Sequence, residues 1–469
     1  MEIIQTACEL CPWGCGMDVF LKDGKIVKVK GTPDHPLNRG LLCPKGAAAP
    51  QFVYSENRLR TPLKRKDGDF IPISWDEALD QHTNGLQNSR AIAILQAITA
   101  NIDIPGGFIT TSRVHINSLQ LPEKLSENPL GIDQFPLFYE VWGRLFGEGQ
   151  AMVLPDSLLE GHPYPIKGMI VSASNPVITW PDSKKVEASL KKMEFLVVMD
   201  LFMTQTAKLA HIVLPAATFL ERTELCDYYG TIHGIPYVTL RKKVIDFPEA
   251  WPDLKFWLEL AKRMGYGEYF PWKDVDEAID YALKPTGLTI QKLMEHPQGL
   301  PFGTIRYNQY REKGFATPSG KVEIYSETLK SLGHDPLPTH RESPFHQPEL
   351  MKDFPLTLTT GARTLEYLHS ELRHIPSLRK KRPEPFAEIH LETAKKYGIA
   401  DGDQIEIETL AGSLTIKCLV TADILPEVVN LPHGWAEANV NLLTTMKPGD
   451  PISGTPLLKS FSCRLRKPC

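Results

Sequence analysis

The segment Cys8-Glu-Leu-Cys-Pro-Trp-Gly-Cys15 places three cysteines in one short loop, and a fourth, Cys43, follows after 27 further residues. Three thiolates on a tight loop and a distant fourth can surround a cube-shaped iron–sulfur cluster and exclude water from it. A zinc ion is the alternative, although zinc sites usually pair two short cysteine knuckles. Unrelated buried cysteines fit poorly because the loop is polar and contains glycine. The spacing favours an iron–sulfur cluster bound by Cys8, Cys11, Cys15 and Cys43.

The composition is that of a large globular chain with balanced charge. Its 469 residues suggest about three domains of roughly 150 residues each, enough to bury a core without disulfide or metal support. The 52 basic and 56 acidic residues leave a net charge of −4, whereas nucleic-acid-binding proteins usually carry a clear basic excess. We therefore expect no nucleic-acid partner.

The hydropathy pattern contains no membrane segment. Apolar runs such as residues 195–199 are far shorter than the ~18 residues that a membrane helix needs. Residues 1–6 lack the basic region and the apolar core that begin a signal peptide. We expect a cytoplasmic protein with no direct membrane span.

Residues 1–60 are β-rich, with a hairpin turning at Asp23-Gly24. Residues 167–215 alternate short apolar strands with helical segments, which is typical of an open parallel sheet. Ligands gather at the carboxyl ends of such strands, so Asn175 and Asp200 are candidate nucleotide contacts. Ordinary caps of loops are the alternative interpretation for both residues.

Two further segments predict core elements. Residues 253–264 form an amphipathic pattern whose apolar face contains Phe256, Trp257, Leu260 and Met264, and we expect that face to belong to the core. From about residue 354 onward the pattern becomes β-rich, and residues 404–409 alternate strictly. Cys418 falls in the apolar row of the next strand, which predicts a core thiol.

The helical pattern that begins at Ser74 is interrupted after a few residues. Ser74 and Glu77 form a capping box that should open a helix, but the helical pattern breaks at residues 81–85. A new amphipathic run follows, with Ile92, Leu95 and other apolar residues on one face.

Together these motifs resemble the molybdopterin oxidoreductases of the dimethyl-sulfoxide-reductase type. The cysteine loop with Gly40-Leu-Leu-Cys-Pro-Lys-Gly46 is similar to their [4Fe-4S] segment, and Ser172-Ala-Ser-Asn-Pro176 to a nucleotide-binding layer. Thr360-Gly-Ala-Arg363, His369, Arg373 and His433-Gly-Trp435 resemble the C-terminal barrel of the family. The resemblance extends over nearly the whole chain.

The resemblance implies an α/β fold in three domains. These are a small β-rich iron–sulfur domain at residues 1–60, a shortened Rossmann-like α/β cofactor-binding domain at 61–350, and a double-psi β-barrel at 351–469. It also implies two cofactors, a [4Fe-4S] cluster and a molybdopterin guanine dinucleotide that carries molybdenum or tungsten.

The resemblance also carries roles onto individual residues. It places Lys45 beside the cluster and assigns one dinucleotide to Asn175, Asp200 and Thr204. The remaining candidates would approach the pterins or their phosphates: Thr360, Gly361, Arg363, His369, Arg373, His433 and Asn441. Arginine offers a planar fork suited to phosphate, although a surface position for the arginines and a core position for His433 stay open.

The implied function is an oxidoreductase acting on a small-molecule substrate. The tail at residues 450–461 is most similar to the branch that contains thiosulfate and polysulfide reductases, formate dehydrogenases and acetylene-hydratase-like proteins. Electrons would pass one at a time through the cluster to a ferredoxin-like electron-transfer subunit.

The chain departs from the family at one point. Family members carry a long stretch that holds the protein ligand of the metal, whereas here Leu79-Asp80 runs directly into Gln81. Cys226 falls in another part of the pattern and is not a convincing substitute ligand, so the catalytic residue stays unassigned. We expect a shortened member that binds the cluster with impaired chemistry. The alternatives are an enzyme whose outer metal ligand comes from solvent or substrate, a non-catalytic iron–sulfur subunit, and a zinc-stabilised binding module.

Overall fold

The computed structural model describes residues 2–11, 13–55, 63–64, 81–105, 107–108, 114–121, 124, 128–227, 235–361, 364 and 366–468. The predicted capping box of Ser74 and Glu77 and the junction at Leu79-Asp80 therefore lie outside the described residues. No helix within these ranges has the length and apolar character to cross a membrane.

The strands of the described ranges belong to four sheets, one of which closes into a barrel. They are β1 (Glu2–Ala7), β2 (Gly16–Lys22), β3 (Lys25–Gly31), β4 (Leu63–Lys64), β5 (Gly168–Ser172), β6 (Phe195–Asp200), β7 (Ile212–Pro215), β8 (Glu224–Cys226), β9 (Tyr237–Arg241), β10 (Leu300–Pro301), β11 (Leu356–Gly361), β12 (Ala387–His390), β13 (Gln404–Thr409), β14 (Gly412–Thr421), β15 (Val428–Pro432) and β16 (Phe461–Arg466).

The helices are mostly short, as is usual for connections between strands. They are α1 (Pro44–Ala47), α2 (Ala49–Val53), α3 (Gly85–Ile98), α4 (Pro136–Phe138), α5 (Arg144–Phe146), α6 (Leu154–Glu160), α7 (Pro176–Thr179), α8 (Ser183–Lys191), α9 (Asp253–Arg263), α10 (Val275–Leu283), α11 (Ile290–Glu295), α12 (Tyr310–Lys313), α13 (Glu327–Ser331), α14 (Pro348–Asp353), α15 (Pro376–Lys381) and α16 (Leu391–Tyr397).

The chain divides into two compact units, each assembled from three stretches. The first unit combines residues 1–62, 94–121 and 214–323, and the second combines 63–93, 122–213 and 324–469. The predicted domain boundaries at 60/61 and 350/351 stay predictions.

The first unit contains the antiparallel sheet β1-β2-β3 and the sheet β10-β9-β8. The predicted hairpin is confirmed, because β2 and β3 pair antiparallel on either side of Asp23 and Gly24. Both residues have left-handed backbone angles, with φ of 52° and 71°. Two successive positive φ angles give the turn whose twist matches that of paired strands.

The second unit contains a four-stranded sheet in the order β4-β7-β6-β5. Strands β5 and β6 run parallel, with Gly168 opposite Phe195 and Ser172 opposite Met199. Helices α6 and α8 contact each other beside this sheet. The predicted parallel strand pair in residues 167–215 is therefore present.

The second unit also contains a closed six-stranded barrel in the order β11-β15-β12-β14-β13-β16. The pairs β11–β15 and β12–β14 are parallel, and the other neighbours are antiparallel. Inward-facing residues that alternate along each strand fill the interior, as the strict alternation in 404–409 predicts. Cys418 is 1% exposed in this core, which confirms the predicted core thiol. The mixed α/β fold with a C-terminal barrel is the predicted one.

The apolar faces predicted for two helices are more exposed than expected. Helix α9 forms, but Trp257 and Met264 are 43% and 62% exposed, and Leu258 is the buried residue. The prediction of a buried Trp257–Met264 face is wrong. The spacing of apolar residues predicts which face of a helix is apolar, but it does not show that another element packs against that face. Helix α3 shows the same effect, since Leu95 is 57% exposed.

Candidate functional site

The four predicted cluster ligands lie in the first unit, three on the loop between β1 and β2 and one just before α1. Cys8 directly follows β1, Cys11 and Cys15 belong to the loop that leads into β2, and Cys43 is the residue before α1. The loop closes on itself through a 2.8 Å hydrogen bond from the Cys8 amide to the Cys15 carbonyl. The backbone therefore brings the first and third cysteines together without help from a ligand.

The first turn of α1 packs against Cys8. Gly46 is buried in that turn, and a β-carbon at this position would lie 3.6 Å from Cys8 Sγ and 3.2 Å from Leu42 Cδ2. The distance to Sγ is an ordinary van der Waals contact, so the helical turn packs directly against the thiol of Cys8. Because Cys43 lies just before this turn, the approach brings the fourth cysteine to the loop.

A side-chain clamp joins the same two segments. The Asn38 amide nitrogen donates to the carbonyls of Gly16 at 3.0 Å and Leu41 at 2.7 Å, and its oxygen accepts from the Gly16 amide at 2.8 Å. Gly16 follows Cys15, and Leu41 lies two residues before Cys43. One side chain thus fixes the spacing between the loop and the distant fourth ligand.

Burial decreases across the four thiols. Cys8 is 5% exposed, Cys11 and Cys15 are half-buried, and Cys43 is exposed. A cluster held here would be enclosed on the Cys8 side and accessible on the Cys43 side.

The thiols interact electrostatically. Burial raises the pKa of Cys8, and Cys11, Cys15 and Cys43 raise it further as potential neighbouring anions. Burial and the neighbouring thiols Cys11 and Cys43 raise the pKa of Cys15 to about 11. Four thiolates so close together need positive charge among them, and bound iron supplies it and displaces the protons.

Lys45 is the cation of this group. Burial raises the pKa of Cys11, and Cys43 raises it as well, whereas the Lys45 ammonium acts in the opposite direction and lowers it. Lys45 is therefore within electrostatic range of a cluster ligand. Its contact with the cluster itself stays a prediction.

The donor set fits an iron–sulfur cube. Within the described ranges, no three His, Cys, Asp or Glu side chains surround one metal-ion position. A [4Fe-4S] cluster does not need such a group, because each thiolate binds an iron of its own. Cys226 is not part of the set: it is fully buried beside Ala7, and its electrostatic neighbours are Arg241 and acidic residues.

The second unit holds the residues predicted to bind a dinucleotide. Asn175 caps α7 just after β5, Asp200 ends β6, and Thr204 lies in the loop that follows. All three therefore gather at the carboxyl edge of the parallel strands, where nucleotides bind in such sheets. Their backbone contacts shape the loops: Asn175 Oδ1 accepts from the Thr206 amide at 3.0 Å, and Asp200 Oδ1 accepts from the Leu201 amide at 2.6 Å.

Arg373 lies buried in a loop of the same unit, not at the surface. Its guanidinium carbon is 4.7 Å from the centre of the Tyr367 ring and 4.6 Å from that of Trp435. Its terminal nitrogens donate to the carbonyls of His369 at 2.9 Å and His433 at 3.2 Å. Burial lowers the pKa of Arg373 to about 9. Arg373 thus joins two loops that carry predicted site residues.

Two polar atoms in this region favour a bound group. Ser370 Oγ and Arg373 Nε are buried and have no hydrogen-bond partner within the part of the chain that the structure describes. Buried polar atoms are rarely left unsatisfied, and each costs about 1–3 kcal/mol when it is. A polar cofactor against these loops would supply the missing partners. The loops that contain His369 and Gly434 can approach each other closely because Gly434 has no side chain. A β-carbon at this position would lie 2.5 Å from the His369 carbonyl oxygen.

The remaining predicted contacts separate into two groups. Thr360 is buried on β11, and Lys459 donates to its carbonyl oxygen and lies 3.3 Å from its hydroxyl. Gly361 ends the same strand, and Arg363 lies outside the described residues. Asn441 is fully buried, and its amide donates to the Ile178 carbonyl at 2.8 Å, so it joins the segment between β15 and β16 to helix α7. The sequence does not predict the contact of Lys459 with Thr360, because a single lysine in a loop belongs to no recognisable motif.

Family models match three parts of the chain. The molybdopterin oxidoreductase Fe4S4 domain matches residues 1–55, molybdopterin oxidoreductase matches 80–263, and the molydopterin dinucleotide binding domain matches 356–462. A thiolate site, a parallel α/β sheet and a closed barrel define an iron–sulfur protein that also binds a dinucleotide. The chain belongs to the molybdopterin oxidoreductase family, and its cofactors are a [4Fe-4S] cluster and a molybdopterin dinucleotide with molybdenum or tungsten.

Known proteins resemble the chain in sequence and in structure. Acetylene hydratase of Syntrophotalea acetylenica is 33% identical, over 77% of this chain and 53% of the relative. Dopamine dehydroxylase of Eggerthella lenta is 26% identical, over 96% of this chain and 54% of the relative. The solved structure of acetylene hydratase from Pelobacter acetylenicus has a TM-score of 0.73 and 28% identity, over 84% of this chain and 60% of that chain.

The chain spans about half the length of the curated relatives it matches. The alignment with dopamine dehydroxylase extends over 564 positions, more than the 469 residues of the chain. That relative therefore carries residues inside the matched region that have no counterpart here.

Proposed function

We propose that this chain is the cofactor-binding polypeptide of an oxidoreductase in which the [4Fe-4S] cluster relays single electrons. The observation that carries the proposal is that the loop with Cys8, Cys11 and Cys15 packs against the segment that begins at Cys43. The exposed Cys43 gives an electron carrier access to the cluster. A ferredoxin-like protein is the partner that this one-electron chemistry suits.

The second unit would hold the molybdopterin dinucleotide. Asn175, Asp200 and Thr204 would bind one nucleotide at the carboxyl edge of β5 and β6. The loops joined by Arg373 would face the pterin, with Ser370 Oγ and Arg373 Nε as donors. The metal–pterin unit supplies the redox step on a small-molecule substrate, whereas the protein positions the reactants and sets the electrostatics.

We further propose that substrate turnover by this chain alone is impaired. The sequence runs from Leu79-Asp80 directly into Gln81, where the family resemblance implies the protein ligand to the metal. The excess of alignment positions over chain residues supports an internal difference of this kind. Catalysis would then need a ligand from solvent or substrate. The alternative function is a non-catalytic iron–sulfur subunit for electron transfer or structure.

Elemental analysis of anaerobically purified protein separates these functions. The proposal predicts iron and sulfide near four atoms each per chain, molybdenum or tungsten, and pterin fluorescence after acid oxidation. It also predicts weak turnover of formate, thiosulfate or polysulfide. A reducible cluster without molybdenum, tungsten or pterin would favour the non-catalytic subunit. Colourless protein that contains zinc would overturn both functions.

A further inference from the structure

The backbone on both sides of Cys8 is held by one buried arginine. Arg241 ends β9 and is 2% exposed. Its Nε donates to the Ala7 carbonyl at 3.2 Å, and its Nη1 lies 3.0 Å from the carboxylate of Glu9. Ala7 and Glu9 are the two neighbours of Cys8, so a single guanidinium contacts the chain before and after the innermost cluster ligand.

Arg241 belongs to a group of five charges, in which Arg222 also pairs with Asp253 at 3.5 Å. Arg222 Nη2 lies 2.6 Å from Glu9 and 3.3 Å from Glu224, and Arg241 Nη1 pairs with Glu224 as well. Each guanidinium thus contacts both of these carboxylates. Burial by itself would raise the pKa of Glu224, but the two arginines lower it below its usual range. A buried ion would cost several kcal/mol if it were unpaired, so this arrangement is stable only as a complete group.

The end of β9 also contacts the end of β1 through hydrogen bonds and apolar packing that do not involve these charges. The Lys242 amide donates to Thr6 Oγ1 at 3.0 Å, and the same hydroxyl donates to the Lys242 carbonyl at 3.1 Å. The buried Cys226 of β8 packs against Ala7. The hairpin-like pair β8–β9 therefore supports the segment that ends in Cys8, although it lies more than 200 residues further along the chain.

We propose that Arg241 is a positioning residue for the [4Fe-4S] cluster, because it fixes the carbonyl before Cys8 and the carboxylate after it. Arg241 acts through the backbone of Cys8 and need not contact the cluster. Its planar fork can hold the carbonyl and the carboxylates at fixed angles, which the point charge of a lysine cannot do. This inference deepens the proposed electron relay and rests on its cluster site.

The full chain with its cluster tests the proposal, using Arg241→Gln, Arg241→Lys and the control Arg263→Gln. Arg263 forms an exposed ion pair with Glu259 on α9, far along the chain from the cysteine loop. We measure iron per chain, the rate at which a chelator bleaches the visible absorbance of the cluster, and the electron paramagnetic resonance spectrum and midpoint potential of the reduced cluster. Circular dichroism of the cluster-free chain reports folding separately.

Arg241→Gln should bleach about ten-fold faster or more, the factor that corresponds to ~1.4 kcal/mol, and should shift the spectrum and the midpoint potential of the reduced cluster. Arg241→Lys retains the positive charge beside Glu9. Its midpoint potential should therefore be closer to the wild-type value than that of Arg241→Gln, whereas its bleaching rate should stay raised. Arg263→Gln should match wild type.

Wild-type bleaching and an unchanged spectrum in Arg241→Gln would overturn the inference while leaving the electron relay intact. If Arg241→Gln does not fold, Glu9→Gln gives the decision. It replaces the carboxylate that pairs with Arg241 by a neutral amide and so weakens this contact. The variant should still accelerate bleaching, and a wild-type rate in it would overturn the inference. A wild-type chain without any cluster would overturn both this inference and the proposed function.

Discussion

Asn38→Ala removes the clamp between the cysteine loop and the Cys43 segment. The Asn38 amide makes three hydrogen bonds, to the amide and carbonyl of Gly16 and to the carbonyl of Leu41. Each such bond contributes about 0.5–1.5 kcal/mol net, so the clamp is worth about 2–4 kcal/mol. If the segment must open before iron leaves, a loss of 2 kcal/mol makes the opening roughly thirty-fold more frequent.

The assay follows cluster loss in anaerobically purified protein. A chelator is added, and the decay of visible absorbance gives the rate, with iron per chain as the second measurement. Asn101→Ala is the matched control, because Asn101 is exposed and its amide donates one bond, 2.9 Å long, to Thr99. Asn38→Asp sharpens the test, since a carboxylate still accepts from the Gly16 amide but cannot donate to Leu41. Wild-type decay in Asn38→Ala and Asn38→Asp would refute the clamp.

Three further predictions concern both units. Cys43→Ser should abolish most of the bound iron, measured by elemental analysis, because a serine hydroxyl is a poor iron ligand at neutral pH. Burial lowers the pKa of His374 to about 4, so the unfolded state binds a proton there between pH 6.5 and 4 and stability falls as pH falls through that window. Urea unfolding should therefore lose up to ~2 kcal/mol between pH 7 and 5, less so in His374→Phe. Arg373→Lys should reduce pterin content and lower the urea midpoint, because an ammonium cannot fill the site beside Trp435 and bond two carbonyls.

Each of these predictions has its own control and its own contrary outcome. Cys418→Ser alters a barrel thiol and should keep wild-type iron, so equal iron in this variant and in Cys43→Ser would contradict the assignment of Cys43. A pH slope in His374→Phe equal to that of wild type would show that another group titrates. Arg144→Lys changes an exposed arginine that pairs with Glu140, and the assignment of Arg373 fails if its variant loses no more pterin than this one.

The sequence predicts local features of this fold well. Two left-handed turn residues determine the hairpin at Asp23-Gly24, and strict alternation determines β13, so the information lies within a few neighbouring residues. The cysteine spacing likewise identifies Cys8, Cys11 and Cys15 as one loop, because chain connectivity alone keeps them close.

Contacts made across long stretches of chain do not follow from local patterns. Arg373 fits a phosphate-binding or surface arginine by sequence, but Tyr367 and Trp435 enclose it, and Trp435 lies on a different loop. Arg241 shows no motif at all, yet it bonds Ala7 across more than 200 residues. A charged side chain reveals such a role only when the fold supplies its buried partners.

The exposed face of α3 bears on the interruption in the sequence. The spacing of apolar residues after Gln81 predicts a helix with a buried face, and the helix forms, but Ile92, Leu95 and Ile98 are 38%, 57% and 66% exposed. Apolar residues at helical spacing usually indicate a buried helix face. Such a face is seldom left in solvent, because exposed apolar side chains promote aggregation. Within the described residues, these apolar side chains are therefore exposed on a helix that follows Gln81 in the sequence. A matched relative has internal residues without a counterpart here, which supports the proposal that this chain lacks an internal segment. Removal of an internal segment would leave the local motifs intact and would expose one apolar face that the segment had covered. Cofactor binding and substrate turnover therefore need separate tests.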